Sequence, residues 1–227
     1  MTETKVIIHV GMHKTGTTFL QTQIFPFIPN INYQTKVDLT TKVIPNQTNL
    51  FSNENLDGGS YRLFKDVKDR YTIAHNLRQM FPTAKIIICV RDKDAWLQSA
   101  YKQYAMAYFG YTFLEYFRKF DKRVLDFDVY VKYLQSLFGV DNVLVTSYEN
   151  LKNEPEEFVD RICSFIGVDA PTFENQIVYP SLTDRQIALI VIFDAIFRSK
   201  TLHLLLALAI RLVRNDPMMQ RWKAKKV

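Results

Sequence analysis

Cysteine is scarce in this sequence, since only Cys89 and Cys163 occur among 227 residues. Two cysteines are too few for the disulfide framework that stabilises small secreted domains. Cys89 lies inside the apolar run Ile86–Val90 and Cys163 inside a helical pattern, so we expect two buried thiols in a reducing compartment. The first apolar run follows the N-terminal residues at once, without the pattern of a signal peptide, so the predicted location is the cytoplasm.

Glycine and proline are also sparse, at 7 and 8 residues, whereas 48% of the residues are hydrophobic. This composition excludes a disordered chain and is ordinary for a folded protein. The length is that of one domain, or of one domain with an appendage. We predict a main domain over 1–199 and, over 200–227, an apolar helix with a basic tail.

Most of the chain has no excess of positive charge, although the formal net charge of the full sequence is +6. From Arg198 onward there are eight Lys or Arg residues and one Asp, which gives this segment +7. The 21 basic and 22 acidic residues of 1–197 leave that part at −1. Nucleic-acid-binding domains need a basic surface on the folded body, so we expect no nucleic acid partner.

No apolar run near the C-terminal end is long enough to span a bilayer. Leu202–Val213 has 12 residues, whereas a spanning helix needs about 20. Basic residues accompany and follow it: Arg211, Arg214, Arg221, Lys223, Lys225 and Lys226. Two interpretations are open. The segment is either a peripheral membrane helix whose basic end is attracted to anionic lipid, or a helix that packs on the sheet or on a partner subunit.

Short apolar runs alternate with amphipathic patterns along the chain. The predicted strands are Lys5–Val10, Thr48–Ser52, Lys85–Val90 and Asn142–Thr146. The predicted helices are Phe19–Phe25, Asp66–Phe81, Asp94–Phe109, Thr112–Phe120, Val129–Phe138, Glu156–Ile166 and, with Thr183 or Asp184 as N-cap, a helical stretch over Thr183–Val213. Strands that are apolar on both faces are typical of parallel sheets covered by helices. This order predicts a three-layer α/β fold with a mainly parallel sheet of about four or five strands.

The segment Gly11–Thr18 (GMHKTGTT) lies between the first predicted strand and the first helix. The backbone N–H groups of such a loop can bind an anion together with the helix N-terminus. A phosphate-binding loop of ATP- and GTP-binding proteins would read GxxxxGK[ST], but Thr17 stands where that lysine belongs. The lysine of this loop is Lys14 instead. The missing lysine at position 17 disfavours a P-loop kinase-like phosphotransferase, which we retain as an alternative function.

The sequence resembles sulfotransferases that use 3′-phosphoadenosine 5′-phosphosulfate (PAPS), of the bacterial and carbohydrate-modifying type. IIHVGMHKTGTTFLQ is similar to the 5′-phosphosulfate loop of that family. Arg91–Tyr101 (RDKDAWLQSAY) is similar to its 3′-phosphate motif, with Ser99 eight residues after Arg91. FGVDNVLVTSYENLKNEPEEFVDRICSFIGVD resembles its later strand–helix unit. The resemblance covers most of 5–170 and implies a P-loop-like sulfotransferase fold.

The resemblance also implies a site. The residues expected to bind PAPS, and the product adenosine 3′,5′-bisphosphate (PAP), are His13, Lys14, Thr15, Gly16, Thr17, Thr18, Arg91 and Ser99. Lys14 is expected to stabilise the leaving phosphate, and Glu54 is the expected catalytic base, with His75 as the fallback. No His/Cys cluster has metal-ligand spacing, and the family does not require a metal.

The acceptor is expected to offer a hydroxyl group, on a carbohydrate or alternatively on a lipid or small metabolite. Five polar and aromatic residues either line the acceptor pocket or serve helix packing: Tyr101, Gln103, Tyr104, Tyr108 and Tyr111. The loops expected to shape the acceptor site are Phe27–Asn46 and Asp169–Leu182. A catalytically silent nucleotide-binding module is the alternative outside enzymes. The predicted location is cytoplasmic, at the inner face of the membrane if the tail binds lipid.

Overall fold

The computed structural model describes residues 4–35, 37, 41–58, 69–108, 110–174 and 182–213, with side chains to residue 210. The chain forms two compact units. The first contains the described residues of 1–60, 65–96 and 121–175, and the second those of 61–64, 97–120 and 176–227. The predicted boundary between residues 199 and 200 stays a prediction.

The first unit contains a sheet of five strands in the order β2-β3-β1-β4-β5. The strands are β1 Lys5–Val10, β2 Ile31–Gln34, β3 Thr48–Asn53, β4 Lys85–Val90 and β5 Val143–Ser147. All four neighbouring pairs are parallel, with Val10 opposite Asn53 across the β1–β3 pair. The predicted mainly parallel sheet is therefore confirmed, and its carboxyl edge lies at the ends of β1, β3 and β4.

The α-helices cover both faces of the sheet or build the second unit. They are α1 Thr17–Phe19, α2 Arg70–Met80, α3 Lys93–Ala107, α4 Phe113–Lys119, α5 Phe127–Phe138, α6 Tyr148–Asn153, α7 Pro155–Ile166, α8 Asp184–Phe197 and α9 Lys200–Val213. α1 continues as one π-helical segment, Leu20–Ile24, and one 3₁₀ segment, Phe25–Phe27, so the helix passes beyond the predicted stop at Pro26.

Alternating side chains of the strands pack against helices on opposite faces. Ile7, Leu50 and Ile87 join a buried cluster with side chains from α1, its π-helical extension, α6 and α7. On the other face Phe51 meets Phe81, the residue that follows α2, at 5.5 Å between ring centroids, and α5 packs on β4. The three-layer α/β arrangement is confirmed in this unit.

Several predicted boundaries need correction. β2 lies in the segment that was expected to be a loop. It was not predicted because its sequence INYQ contains no apolar run, and its side chains have the intermediate burial of an edge strand. α2 begins at Arg70 rather than at Asp66, because Asp69 has extended backbone and caps the helix by accepting from the N–H groups of Tyr71 and Thr72. The predicted positions 66–68 lie outside the described residues. α6 follows β5 directly and was not expected.

The second unit contains most of α3 together with α4, α8 and α9. The predicted cap at Thr183 is confirmed, since its hydroxyl accepts from the Gln186 N–H in a capping box. The helical stretch is not continuous, because Arg198 has φ 45° and ends α8 in a left-handed turn. Buried Asp194 contacts His203 Nδ1 at 2.9 Å and ties α8 to α9.

Candidate active site

The loop after β1 is braced by its own polar groups. The hydroxyls of Thr15 and Thr17 both donate to the Met12 carbonyl, at 2.7 and 3.0 Å. Lys14 has φ 66° and Gly16 φ 88°, so the loop contains two left-handed residues before α1 begins. The φ of Gly16 is one that residues with a side chain rarely adopt, and a Cβ there would also stand 2.4 Å from Leu151 Cδ2, so that Leu151 would have to shift. The loop is a compact turn with the N–H groups of α1 at its end.

Two donors from the β4–α3 segment hold carbonyl groups of this loop. Arg91 Nη1 donates to the Lys14 carbonyl at 2.9 Å, and the indole Nε1 of Trp96 donates to the His13 carbonyl at 2.7 Å. The Arg91 guanidinium also lies 4.3 Å from the centroid of the Tyr148 ring. These contacts fix Arg91 beside the loop, at the carboxyl end of β4, as the strand order predicts.

Glu54 follows β3 and contacts the same loop. Its Oε1 accepts from the Thr18 hydroxyl at 3.4 Å, and its Oε2 lies 3.5 Å from His13 Nδ1. Because β1 and β3 are neighbours, the carboxyl end of β3 brings Glu54 to the edge where the loop begins. Its side chain is 35% exposed, which leaves the carboxylate accessible to a substrate.

Two predicted 3′-phosphate ligands carry buried polar atoms that no described residue satisfies. Arg91 Nε and, on α3, the Ser99 hydroxyl oxygen are inaccessible to solvent and have no hydrogen-bond partner in the described part of the chain. An ion pair of Arg91 with Asp92 or Asp94, which the sequence also allows, is not found among the described residues; Asp92 instead caps α3, accepting from the Ala95 N–H at 2.8 Å. Such buried groups normally have a partner.

His75, the residue predicted as the fallback base, has no described contact with the loop after β1. His75 is an exposed residue of α2, and its Nε2 is 3.1 Å from Gln79 Nε2, one turn along the same helix. The described contacts connect Glu54, and not His75, with the loop after β1. Of the two residues, the described geometry therefore brings only Glu54 to the loop.

The aromatic residues of α3 pack within the second unit. Tyr101 and Tyr104 are buried, and Tyr104 stacks on Tyr108 at 4.4 Å between centroids and meets Tyr116 at 5.0 Å. The packing interpretation is confirmed for Tyr101 and Tyr104. Tyr108, Tyr111 and Gln103 are at least partly accessible.

Three buried side chains near the ends of β1 and β4 or in α7 remain uncharged. Burial lowers the pKa of His9 from 6.5 to about 3, and its Nδ1 is 2.7 Å from the Ser52 hydroxyl. Burial raises the pKa of Cys89 to about 12 and that of Cys163 to about 11. Both thiols are buried and free, as expected, and neither is a reactive thiolate at neutral pH.

Sequence reasoning missed two residues that hold the loop, Asp57 and Trp96. Asp57 Oδ2 accepts from the His13 N–H at 3.3 Å, and its side chain is completely buried. A carboxylate three residues after Glu54 was the available signal, because residues at this spacing lie on one side of a 3₁₀ helix. Trp96 stands inside the Arg91–Tyr101 motif, but only the tertiary structure shows its bond to His13.

Parallel strands with a glycine-containing loop after β1 and polar residues at the carboxyl edge define a ligand-binding protein of the parallel α/β class. Residues 3–184 match the family model for the sulfotransferase domain. The chain belongs to this sulfotransferase family, and the predicted family is thereby confirmed. No protein among the curated sequences matches the chain.

Two solved structures are similar to this chain. A sulfotransferase from Alicyclobacillus acidocaldarius has a TM-score of 0.55 at 16% identity, over 82% of this chain and 90% of that chain. Mouse sulfotransferase SULT7A1, complexed with PAP, has a TM-score of 0.48 at 19% identity, over 75% of this chain and 61% of its own. At such identities the first likeness shows the fold alone.

The described residues contain neither a metal-binding cluster nor a helix that could span a membrane. No group of three or more His, Cys, Asp or Glu side chains in this part of the chain is arranged to hold a metal ion. Within the same residues, each helix is too short or too polar to cross a membrane.

Proposed function

We propose that the chain transfers a sulfuryl group from PAPS to an acceptor hydroxyl, with PAP as the second product. One observation carries the proposal. Lys14 follows β1, Glu54 follows β3 and Arg91 follows β4, and these three strands are neighbours in a parallel sheet. Ligands of such sheets bind outside the carboxyl ends of the strands. Membership of the sulfotransferase family supports the same reaction.

The residues of the loop and of the β4–α3 segment fit the donor. PAPS would supply an activated sulfuryl group next to a phosphate. The Gly16–Thr18 backbone would hold the 5′-phosphosulfate, helped by the His13 and Thr15 segment, and the Lys14 ammonium would neutralise charge on the leaving oxygen. The Arg91 guanidinium would bind the 3′-phosphate, and Ser99 is the second predicted ligand of that phosphate. Because Arg91 Nε and the Ser99 hydroxyl are inaccessible to solvent, each side chain would have to move before it could donate to a ligand.

Glu54 is the proposed general base. Its carboxylate would take the proton of the acceptor hydroxyl, and it is accessible while contacting the loop through Thr18 and His13. The proposed acceptor is a carbohydrate hydroxyl, with a lipid or a small metabolite as alternatives. A catalytically silent module is less well supported, because an accessible carboxylate, that of Glu54, contacts the loop. A kinase is less well supported, because Thr17 occupies the position of the lysine in the GxxxxGK[ST] motif.

Calorimetric titration with PAP and with ATP tests the donor. We expect PAP to bind at least about tenfold more tightly than ATP, a difference of about 1.4 kcal/mol. Equal affinity or a preference for ATP would overturn the proposal. Incubation with ³⁵S-labelled PAPS and separate panels of carbohydrates, hydroxylated lipids and small alcohols then identifies the acceptor class, because label moves only to a true acceptor.

We further propose that α8 and α9 contact an anionic membrane surface from the cytoplasmic side. Eight large apolar side chains of these helices, here called the apolar face, are between 36% and 67% exposed: Leu189, Ile192, Ile196, Phe197, Leu202, Leu204, Leu205 and Leu208. Between residues 186 and 210 the exposed charged residues are Arg198 and Lys200, which are both basic. Further basic residues follow in the sequence up to Lys226. Apolar side chains flanked by cations match anionic lipid.

A further inference from the structure

The imidazole of His13 lies between two carboxylates. Its Nδ1 is 3.5 Å from Glu54 Oε2, and its Nε2 is 4.0 Å from Asp57 Oδ1. Both acidic residues belong to one 3₁₀ helix, Glu54–Asp57, which begins where β3 ends. Residues three apart in a 3₁₀ helix are nearly eclipsed, so this short segment aims both carboxylates at the same ring.

The two carboxylates differ in their surroundings. The Asp57 side chain is completely buried, whereas that of Glu54 is 35% exposed. A buried carboxylate is costly unless hydrogen bonds compensate for the lost water. Asp57 Oδ2 accepts from the His13 backbone N–H, and Asp57 Oδ1 lies 4.0 Å from the ring Nε2, which is beyond hydrogen-bond distance but close enough for the charge of the carboxylate to act on the ring. Asp57 is inaccessible to an acceptor and Glu54 is accessible, so only Glu54 can meet substrate directly.

We propose that Asp57 is a positioning residue that acts through the His13 ring on the carboxylate of Glu54. Asp57 orients His13 through its bond to the backbone N–H and through its charge beside the ring, and the ring then orients Glu54 Oε2 while Thr18 holds Oε1. A base held in this way faces the acceptor hydroxyl without first reorganising. The inference rests on the proposed function, because it assigns Asp57 a role only where Glu54 is the base.

A purely structural role for Asp57 makes a different prediction. Asp57→Asn keeps an oxygen that can accept from the His13 N–H, but it removes the negative charge that faces the ring. If Asp57 only braces the loop, this variant should leave turnover nearly unchanged. If Asp57 acts through His13 and Glu54, turnover should fall although the loop still forms and the donor still binds.

The test is a double-mutant cycle of Asp57→Asn and Glu54→Gln, measured as turnover with labelled PAPS. We expect Asp57→Asn to lower kcat by about tenfold to a hundredfold, the size of effect that misplacing a catalytic group produces. In the Glu54→Gln background it should have no further effect, since the residue it positions has lost its function. The PAP affinity should stay within about twofold of wild type, and Asp141→Asn, at an exposed position, is the matched control.

A second readout does not depend on activity. The ¹⁵N signals of the His13 ring, recorded on the full chain without PAP, should shift in Asp57→Asn and in Glu54→Gln, and not in Asp141→Asn. If Asp57→Asn does not fold, His13→Gln replaces it in the same cycle. Equal kcat losses in both backgrounds, or unmoved ring signals, would overturn the inference. A preference for ATP over PAP would overturn the proposed function instead, whatever the ring signals show.

Discussion

Lys14 combines an unusual backbone conformation with the proposed role at the leaving phosphate. Its φ of 66° is left-handed, and Ala in its place adopts that φ at a similar cost, so Lys14→Ala tests the ammonium with little change in backbone strain. We expect kcat to fall by about a hundredfold to a thousandfold, as when one group that stabilises transition-state charge is removed. Turnover with labelled PAPS measures the loss.

The control for Lys14→Ala is Lys42→Ala, at an exposed position of the same unit. Both variants should keep the wild-type circular dichroism and unfolding midpoint. A Lys14→Ala enzyme with near-normal kcat would refute the assignment of this lysine to the leaving group.

His9 makes the stability of the first unit depend on pH. Its folded pKa is about 3, whereas the ordinary value of 6.5 applies to the unfolded chain. Below pH 6.5 the unfolded chain therefore binds a proton that the folded chain excludes, so the free energy of unfolding falls as the pH falls from 6.5 towards 3. Between pH 7.5 and 5.5 the loss from His9 is about 1.4 kcal/mol. Urea unfolding at the two pH values measures it.

Two variants isolate the contribution of His9. His9→Gln should show a smaller pH-dependent loss than wild type, because Gln does not titrate. His75→Gln, which removes an exposed histidine, should keep the wild-type loss. Equal losses in all three proteins would mean that His9 is protonated in the folded state.

Among the secondary-structure elements, the contact between the β1 loop and α6 depends on the missing side chain of Gly16. Gly16→Ala combines φ 88° with a Cβ 2.4 Å from Leu151 Cδ2. Gly110 is a matched control, since it has φ 85° and no heavy atom within 4 Å of an added Cβ in the described structure. We expect Gly110→Ala to lower the free energy of unfolding by about 1–2 kcal/mol, the usual cost of this conformation.

Gly16→Ala should cost more than Gly110→Ala, because Leu151 or the loop must move as well. It should also weaken PAP binding, since the loop is the proposed phosphosulfate site, whereas Gly110→Ala should not. Urea unfolding and calorimetry measure the two effects. Equal destabilisation with unchanged PAP affinity would show that the loop relaxes without loss of its shape.

The elements that the sequence predicts well are those with a clear apolar pattern. β1 and β4 each contain a run of apolar residues and occur at the predicted residues, Lys5–Val10 and Lys85–Val90. β2 escapes prediction because INYQ is held at the sheet edge by pairing with β3 and by a bond from Asn32 to Asn49 at 2.8 Å. The break at Arg198 lies in the polar stretch 198–201, but a polar stretch alone does not distinguish the end of a helix from an exposed helical turn.

The candidate site is predictable to the extent that strand ends determine it. Lys14, Glu54 and Arg91 each follow a predicted strand, and parallel neighbours bring such positions to one edge. The bonds that Asp57 and Trp96 make to His13 are not predictable in this way. They depend on distances between segments that are 44 and 83 residues apart in the chain.

For the whole molecule, the apolar face gives the +7 of the C-terminal segment a proposed purpose. Leu204, Leu205 and Leu208 lie within one turn of α9, and Ile192 and Ile196 lie one turn apart on α8, so the exposed side chains form stripes. A membrane would cover the stripes while anionic headgroups attract the basic residues around them. The charge of residues 1–197, which is −1, would neither assist nor oppose this attachment.

Vesicle co-sedimentation tests the attachment. We expect the full chain to sediment with vesicles that contain phosphatidylserine or phosphatidylglycerol and to remain in solution with phosphatidylcholine alone. Raising the salt concentration should release it, because the headgroup attraction is screened. The double variant Leu204→Ser/Leu205→Ser should bind several-fold more weakly, since it removes two exposed apolar side chains from the face.

The matched control is Phe27→Ser/Val140→Ser, which removes two apolar side chains of similar exposure, 62% and 68%, from the first unit. This variant should bind like wild type if the attachment is specific to α8 and α9. Analytical ultracentrifugation without lipid separates the remaining alternative, because a face that joins two subunits would give a dimer that Leu204→Ser/Leu205→Ser dissociates. The membrane proposal would be wrong if wild type and both double variants bound vesicles equally, or if the protein formed a dimer that Leu204→Ser/Leu205→Ser dissociates.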